Sequence, residues 1–121
     1  CGACNVIMDG KVTRSCITRI SKVRDYARIE TIEGIGTLEN LHPLQAAWVA
    51  HGCAQCGFCS PGFVMNVLAM VRELSDPTEE EIKEYLAGNL CRCTGYMGQL
   101  RAIKKYMSQK KENADMGKEG V

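Results

Sequence analysis

The sequence predicts an α+β fold, with a short β region first and four helices after it. Three observations carry this. Val6, Ile7, Val12 and Ile17 flank an Asp9-Gly10 pair, the signature of a tight hairpin. From Pro43 onward the apolar spacing changes from strand-like to i, i+3, i+4. Two short cysteine runs, at 55–62 and 89–96, each lie between segments with that helical spacing.

The hairpin is expected over 5–8 and 11–17, turning at Asp9-Gly10 because both residue types tolerate positive φ. A further strand is expected over 28–33, closed by Gly34 and Gly36. So little sheet does not stand alone. Cys1, Cys4 and Cys16 are set around the hairpin, and the basic residues between Lys11 and Arg28 read as a solvated strand face.

Leu44, Ala47, Trp48 and His51 form one stripe of a first helix that stops at Gly52. Pro61 suits the first turn of the second. There Phe63, Val67, Met70 and Leu74 make a stripe that Val64, Leu68 and Val71 widen, so the helix is expected to be well buried. Thr78 with Glu81 is a capping box for the third, whose inner face is Ile82, Tyr85 and Leu86 and whose end is Gly88. The fourth follows Gly95 with Leu100, Ile103 and Met107 inward. After Ser108 the chain is polar and reads as a frayed tail or linker. Helix, cysteine pair, helix occurs twice, so two halves facing each other would bring four thiolates to one spot.

With 121 residues there is room for one modest domain or two small ones. A net charge of +1, from 15 basic and 14 acidic residues, gives no argument for nucleic acid. No apolar run reaches membrane-spanning length and no signal peptide is visible. No initiator methionine precedes Cys1, so upstream residues are expected to be missing. Eight cysteines are clustered too closely for loop-stapling disulfides, which points to metal ligation in a reducing, cytoplasmic setting.

Cys56, Cys59, Cys91 and Cys93 supply a C-x2-C and a C-x-C whose inner members are separated by residues 60–90. Four such thiolates can close a tetrahedral zinc site or a 2Fe–2S cluster, and spacing alone admits both. Thiolates just ahead of a helix also sit where free N–H groups favour negative charge. Cys1, Cys4 and Cys16 form C-x2-C-x11-C, three ligands wanting a fourth. If Cys1 is the second ligand of a plant-type C-x4-C-x2-C run, the first lies five positions upstream. Cys53 completes a C-x2-C-x2-C echo of a bacterial ferredoxin run, but Phe63 stands where that run's fourth cysteine belongs, so Cys53 reads as a packed thiol. His42 and His51 read as hydrogen-bonding structure, and Trp48 as core. No nucleophilic triad, paired catalytic carboxylates or phosphate loop is present.

Cys-Gly-Ala-Cys at 1–4 with Cys16, Gln-Cys-Gly-Phe-Cys-Ser-Pro-Gly at 55–62 and Asn-Leu-Cys-Arg-Cys-Thr-Gly-Tyr at 89–96 closely resemble the iron–sulfur subunit or domain of molybdenum hydroxylases. That group includes xanthine dehydrogenase, aldehyde oxidoreductase and carbon monoxide dehydrogenase. The likeness covers residues 1 to about 107, and 39–52 looks nearest to bacterial aldehyde oxidoreductases. It implies the C-terminal part of a plant-ferredoxin-like β-grasp domain (1–40), a two-fold-symmetric four-helix 2Fe–2S-binding bundle (41–107) and a polar tail or linker (108–121). It implies two 2Fe–2S clusters: one on Cys56, Cys59, Cys91 and Cys93 near molybdenum, and an outer one on Cys1, Cys4 and Cys16 with its fourth ligand upstream. Gln55 and Cys93 match positions that touch the molybdopterin cofactor. The expected partners are a molybdopterin-binding large subunit or domain and an FAD-binding subunit, with electrons leaving through the outer cluster to a flavin or external acceptor. Substrate chemistry is not expected on this chain. The rival readings are a zinc-stabilised interaction module and a stand-alone ferredoxin-like carrier. Cys53 departs from the family pattern, which leads one to expect a small non-cysteine residue there.

Overall fold

β1 (Asn5–Met8) and β2 (Lys11–Arg14) pair antiparallel, with Ile7 opposite Val12 and Asn5 opposite Arg14. The turn is made as the dipeptide predicts, Asp9 at φ 51° and Gly10 at φ 84°. The Asp9 carboxylate is tied down by Arg24 Nη2 at 2.7 Å and the Arg28 N–H at 2.9 Å, which hold it below the usual carboxylate range. The computed structural model describes residues 1–115.

β2 ends at Arg14, not at residue 17, because β1 offers no partner beyond Asn5. The chain turns into a single 3-10 turn, Ser15–Ile17, instead. The strand expected over 28–33 is cut to β3, Ile29–Glu30, which finds partners only at Met8 and Ile7. Beyond it, Ile32–Gly34 is another 3-10 turn, and Ile32 and Ile35 pack on the core. The sheet order is β2-β1-β3. Much of the basic stretch thus lies on turns rather than a strand face, with Arg24 paired to Asp9 and Arg14 donating to the Gly88 carbonyl.

The helices are α1 (Pro43–Ala50), α2 (Ser60–Glu73), α3 (Glu79–Leu86) and α4 (Met97–Asp115). His42 begins α1 as a cap: its Nδ1 accepts from the Leu44 N–H while Gln45 Oε1 accepts from the His42 N–H. Burial lowers its pKa, keeping that nitrogen an acceptor. Thr78 and Glu81 make the expected capping box of α3, which ends at Leu86, two residues short of Gly88. α4 continues through 108–115 where a frayed tail was expected. Ser108 to Glu112 contains no glycine or proline, and Lys, Gln and Glu extend a helix readily when solvated. The remainder of the tail, 116–121, lies outside the described residues.

α2 is buried from Gly62 to Val71, since α1, α3 and β1 all pack on it. One apolar core runs from Ile7 in the sheet through Leu44, Trp48, Phe63, Met70 and Ile82 to Ile103. Arg72 fixes the far end of α2 to β3 through two hydrogen bonds to Glu30, at 2.8 and 2.9 Å. The near end is fixed by contact. A Cβ on Gly62 would overlap the Gly2 carbonyl, so only glycine lets the Cys1–Cys4 loop lie on the start of α2.

Candidate metal centres

The two cysteine runs become two loops at one end of the helices, the first between α1 and α2, the second between α3 and α4. In the first, Gly57 at φ +84° turns the chain and Cys59 caps α2, its carbonyl accepting from the Phe63 N–H at 3.1 Å. The Trp48 indole donates to Ser60 Oγ at 3.2 Å, so the core of α1 holds this loop in place. In the second, Tyr96 at φ 69° caps α4; its ring packs 6.2 Å from Phe63 and its hydroxyl accepts from the Cys91 N–H at 2.9 Å.

The four sulfurs meet as two pairs, each drawing one member from each loop. Cys93 stands near enough to Cys56 to lower its pKa, and Cys91 near enough to Cys59 to raise its pKa. The pairs are close enough for the charge on Cys91 to act on both Cys56 and Cys59. Among the described residues no three His, Cys, Asp or Glu side chains form a cage for a single ion. Four thiols in two neighbouring pairs are a donor set that fits two adjacent irons, each taking two thiolates.

A backbone N–H acts on each of Cys56 and Cys91. The Phe58 N–H and then the Cys93 thiol lower the Cys56 pKa. Burial pushes the Cys91 thiol up, but the Thr94 hydroxyl at 3.1 Å and Thr94 N–H at 3.4 Å, with help from Cys59, outweigh it and bring it to about 7. Cys59 goes the other way, pushed up to about 11 by burial and by its neighbour Cys91. Closely placed thiols split in this way because charge on one disfavours charge on the next.

The outer group is partly assembled. Cys4 and Cys16 touch: the Cys16 N–H donates to Cys4 Sγ at 3.4 Å, and with the Cys16 thiol lowers the Cys4 pKa to about 7. Cys16 and Cys1 are exposed. The two centres are sewn together. The Leu90 N–H donates to the Cys1 carbonyl at 2.9 Å, and Asn89 Nδ2 donates to the Gly2 carbonyl at 3.4 Å. Asn89 Oδ1 accepts in turn from Asn66 Nδ2 of α2 at 2.6 Å.

All eight cysteines are free thiols. Cys53 is buried at 1 % exposure, and burial raises its pKa, as a packed thiol requires. Gln55 is exposed beside Cys56, on the rim where Cys93, Phe58, Leu90, Tyr96 and Met97 are also exposed. Sequence reading missed the supports: Asn66, Asn89, Thr94, Tyr96 and Gln99. Asn89, Thr94 and Tyr96 lie inside the 89–96 motif, whereas Asn66 and Gln99 carried no local signal. No described helix is long and apolar enough to cross a membrane.

The model of a 2Fe-2S binding domain matches residues 31–104. Aldehyde oxidoreductase from Megalodesulfovibrio gigas is 52% identical over 105 residues, which are 85% of this chain and 12% of that protein. A probable xanthine dehydrogenase subunit from Bacillus subtilis (strain 168) is 43% identical over 102 residues, 84% of this chain and 58% of that one. The chain thus spans only part of the relatives it matches. The solved structure of aldehyde oxidoreductase from Desulfovibrio gigas superimposes with a TM-score of 0.89 at 48% identity, covering 93% of this chain and 13% of that one.

Proposed function

Since the chain belongs to the 2Fe-2S binding domain family, and its relatives are oxidoreductases, we propose that it is the electron-transfer iron–sulfur part of a molybdenum hydroxylase. The observation that carries this is the crosswise pairing of Cys56 with Cys93 and Cys59 with Cys91 at the ends of four helices. In this reading those four cysteines hold an inner 2Fe–2S cluster, and Cys1, Cys4 and Cys16 supply three thiolates of an outer one. When bound, such a cluster takes up and releases one electron at a time.

The chain's residues supply the holding, the charge balance and the shielding. The N–H groups of Phe58 and Thr94 lower the pKa of Cys56 and Cys91, favouring thiolate over thiol, and would stabilise added negative charge. Gln55 and Cys93 stand at the rim, where a molybdopterin-bearing partner subunit or domain would meet them. Phe58, Leu90 and Met97, exposed by 80, 61 and 58 %, would exclude water from the sulfurs once that partner covers them. Oxidative hydroxylation takes place on the partner. With both clusters bound, the Leu90–Cys1 seam would join the Cys91 side to the Cys4–Cys16 side, and electrons would leave there for a flavin or external acceptor. The packing of α1 on α4 and of α2 on α3 is what an exchange of two similar halves requires, which favours the two-fold bundle. In this reading the three strands belong to the C-terminal part of a plant-ferredoxin-like β-grasp domain.

Iron and acid-labile sulfide analysis with EPR of the dithionite-reduced protein tests this. Two distinct 2Fe–2S signals are expected of the full-length protein, in which the outer group gains its fourth ligand. One zinc per chain with neither iron nor sulfide would end the reading.

A further inference from the structure

The Thr94 hydroxyl has one proton and two lone pairs. Both lone pairs face donors: Gln99 Nε2 at 2.9 Å and the Tyr96 N–H at 3.3 Å. The proton is left for Cys91 Sγ, 3.1 Å away. Gln99 cannot turn its amide over, because Nε2 also donates to the Cys53 carbonyl at 3.2 Å, and a carbonyl only accepts. At 1 % exposure on the first turn of α4, Gln99 has no freedom to move away. The hydrogen bonds therefore run in one direction, from Gln99 through Thr94 to the sulfur. Among the described residues no other member of the Cys56, Cys59, Cys91, Cys93 set receives a hydrogen bond from a hydroxyl.

We infer that Thr94, oriented by Gln99, is a positioning residue that raises the reduction potential of the inner centre through its hydrogen bond to Cys91. The inference rests on the proposed ligation by the four inner cysteines. Reduction adds negative charge that spreads onto the ligand sulfurs, and a fixed O–H donor stabilises that state more than the oxidised one. Gln99 strengthens the donor by polarising the hydroxyl from behind. The outer centre lies beyond this chain of hydrogen bonds and is unaffected by it.

The test is an EPR-monitored redox titration of the full-length protein with its clusters loaded, comparing wild type with Thr94→Val, Thr94→Ser and Gln99→Leu. Thr94→Val is expected to weaken reduction of the inner centre roughly tenfold, the worth of one charge-assisted hydrogen bond, which is a fall of about 59 mV for one electron. Thr94→Ser keeps the wild-type midpoint. Gln99→Leu shifts it in the same direction as Thr94→Val but less far, and the outer midpoint is constant throughout. Pulsed EPR in heavy water should show one exchangeable proton coupling lost in Thr94→Val and retained in Thr94→Ser. An unchanged inner midpoint in iron-replete Thr94→Val, or a serine variant that shifts as far as valine, overturns the inference. If Thr94→Val takes up no iron, Gln99→Leu decides: a lower inner midpoint supports the inference and an unchanged one overturns it. A wild-type protein without iron and sulfide would instead sink the parent reading.

Discussion

Cys59 and Cys91 come from different halves of the helical region and meet half-buried, whereas Cys4 and Cys16 flank a single hairpin at the rim of a three-stranded sheet. The hairpin register sets the second pair. With Asn5 opposite Arg14, the residues just beyond are brought side by side, and Ser15 Oγ locks the corner by donating to the Cys4 carbonyl at 2.9 Å. The first pair needs α1 on α4, α2 on α3 and the Trp48 and Tyr96 anchors in place at once. One thiol chemistry is thus built locally in one region and non-locally in the other. The local pair asks little of the fold. The non-local pair stands at the end of everything the core does.

Replacing a ligand on each side breaks this comparison most sharply. Cys91→Ala should remove about two irons per chain and the inner EPR signal, and lower the thermal midpoint, because it frees two loops that four helices share. Cys16→Ala should lose only the outer signal and melt close to wild type. Equal losses of stability would show that the two sites depend on the fold alike.

Asn89 joins the regions, so Asn89→Ala tests whether they act as one. It leaves the Gly2 carbonyl without its side-chain donor and Asn66 without its closest acceptor, a cost of about 2 kcal/mol in chemical denaturation. Both EPR signals should broaden. A change confined to the inner signal would mean that the seam is not shared.

Thiol chemistry sharpens the contrast within each site. In metal-free protein at about pH 8, above the values near 7 for Cys4 and Cys91 and below that near 11 for Cys59, the first two are thiolates and the third is not. Iodoacetamide followed by peptide mapping should label Cys4 and Cys91 at least about tenfold faster than Cys59. Raising the pH should speed only Cys59, since the other two are already ionised. Cys59 labelling first would contradict the arrangement.

Arg72→Ala has the smallest expected effect. Its pairing with Glu30 is half-exposed and far from either group of sulfurs, so roughly 0.5–1 kcal/mol should be lost with no change in iron content.

How legible each part was follows from how far its determinants reach along the chain. Apolar spacing marked all four helices, and Asp9-Gly10 marked the hairpin. Strand ends failed at Ile17 and Glu33 because a strand stops where its partner stops, and partners are not written in the strand itself. The end of α4 was misjudged because a polar stretch after the last apolar residue can be helix or coil, and composition does not separate them.

The two cysteine runs were plain from spacing alone, because ligand geometry forces close repeats within a loop. Which sulfur would stand beside which was not, since Cys56 with Cys93 and Cys59 with Cys91 depends on how two loops 31 residues apart, over 60–90, are brought face to face. Still less could the sequence show that Gln99 would turn the Thr94 hydroxyl toward Cys91, or that Asn89 would sew Gly2 to α2. Residue identity and spacing determined the chemistry on offer: eight thiols, two loops and helices to carry them. Tertiary packing alone decided the direction of each hydrogen bond, because a donor finds its acceptor only after the core has fixed both.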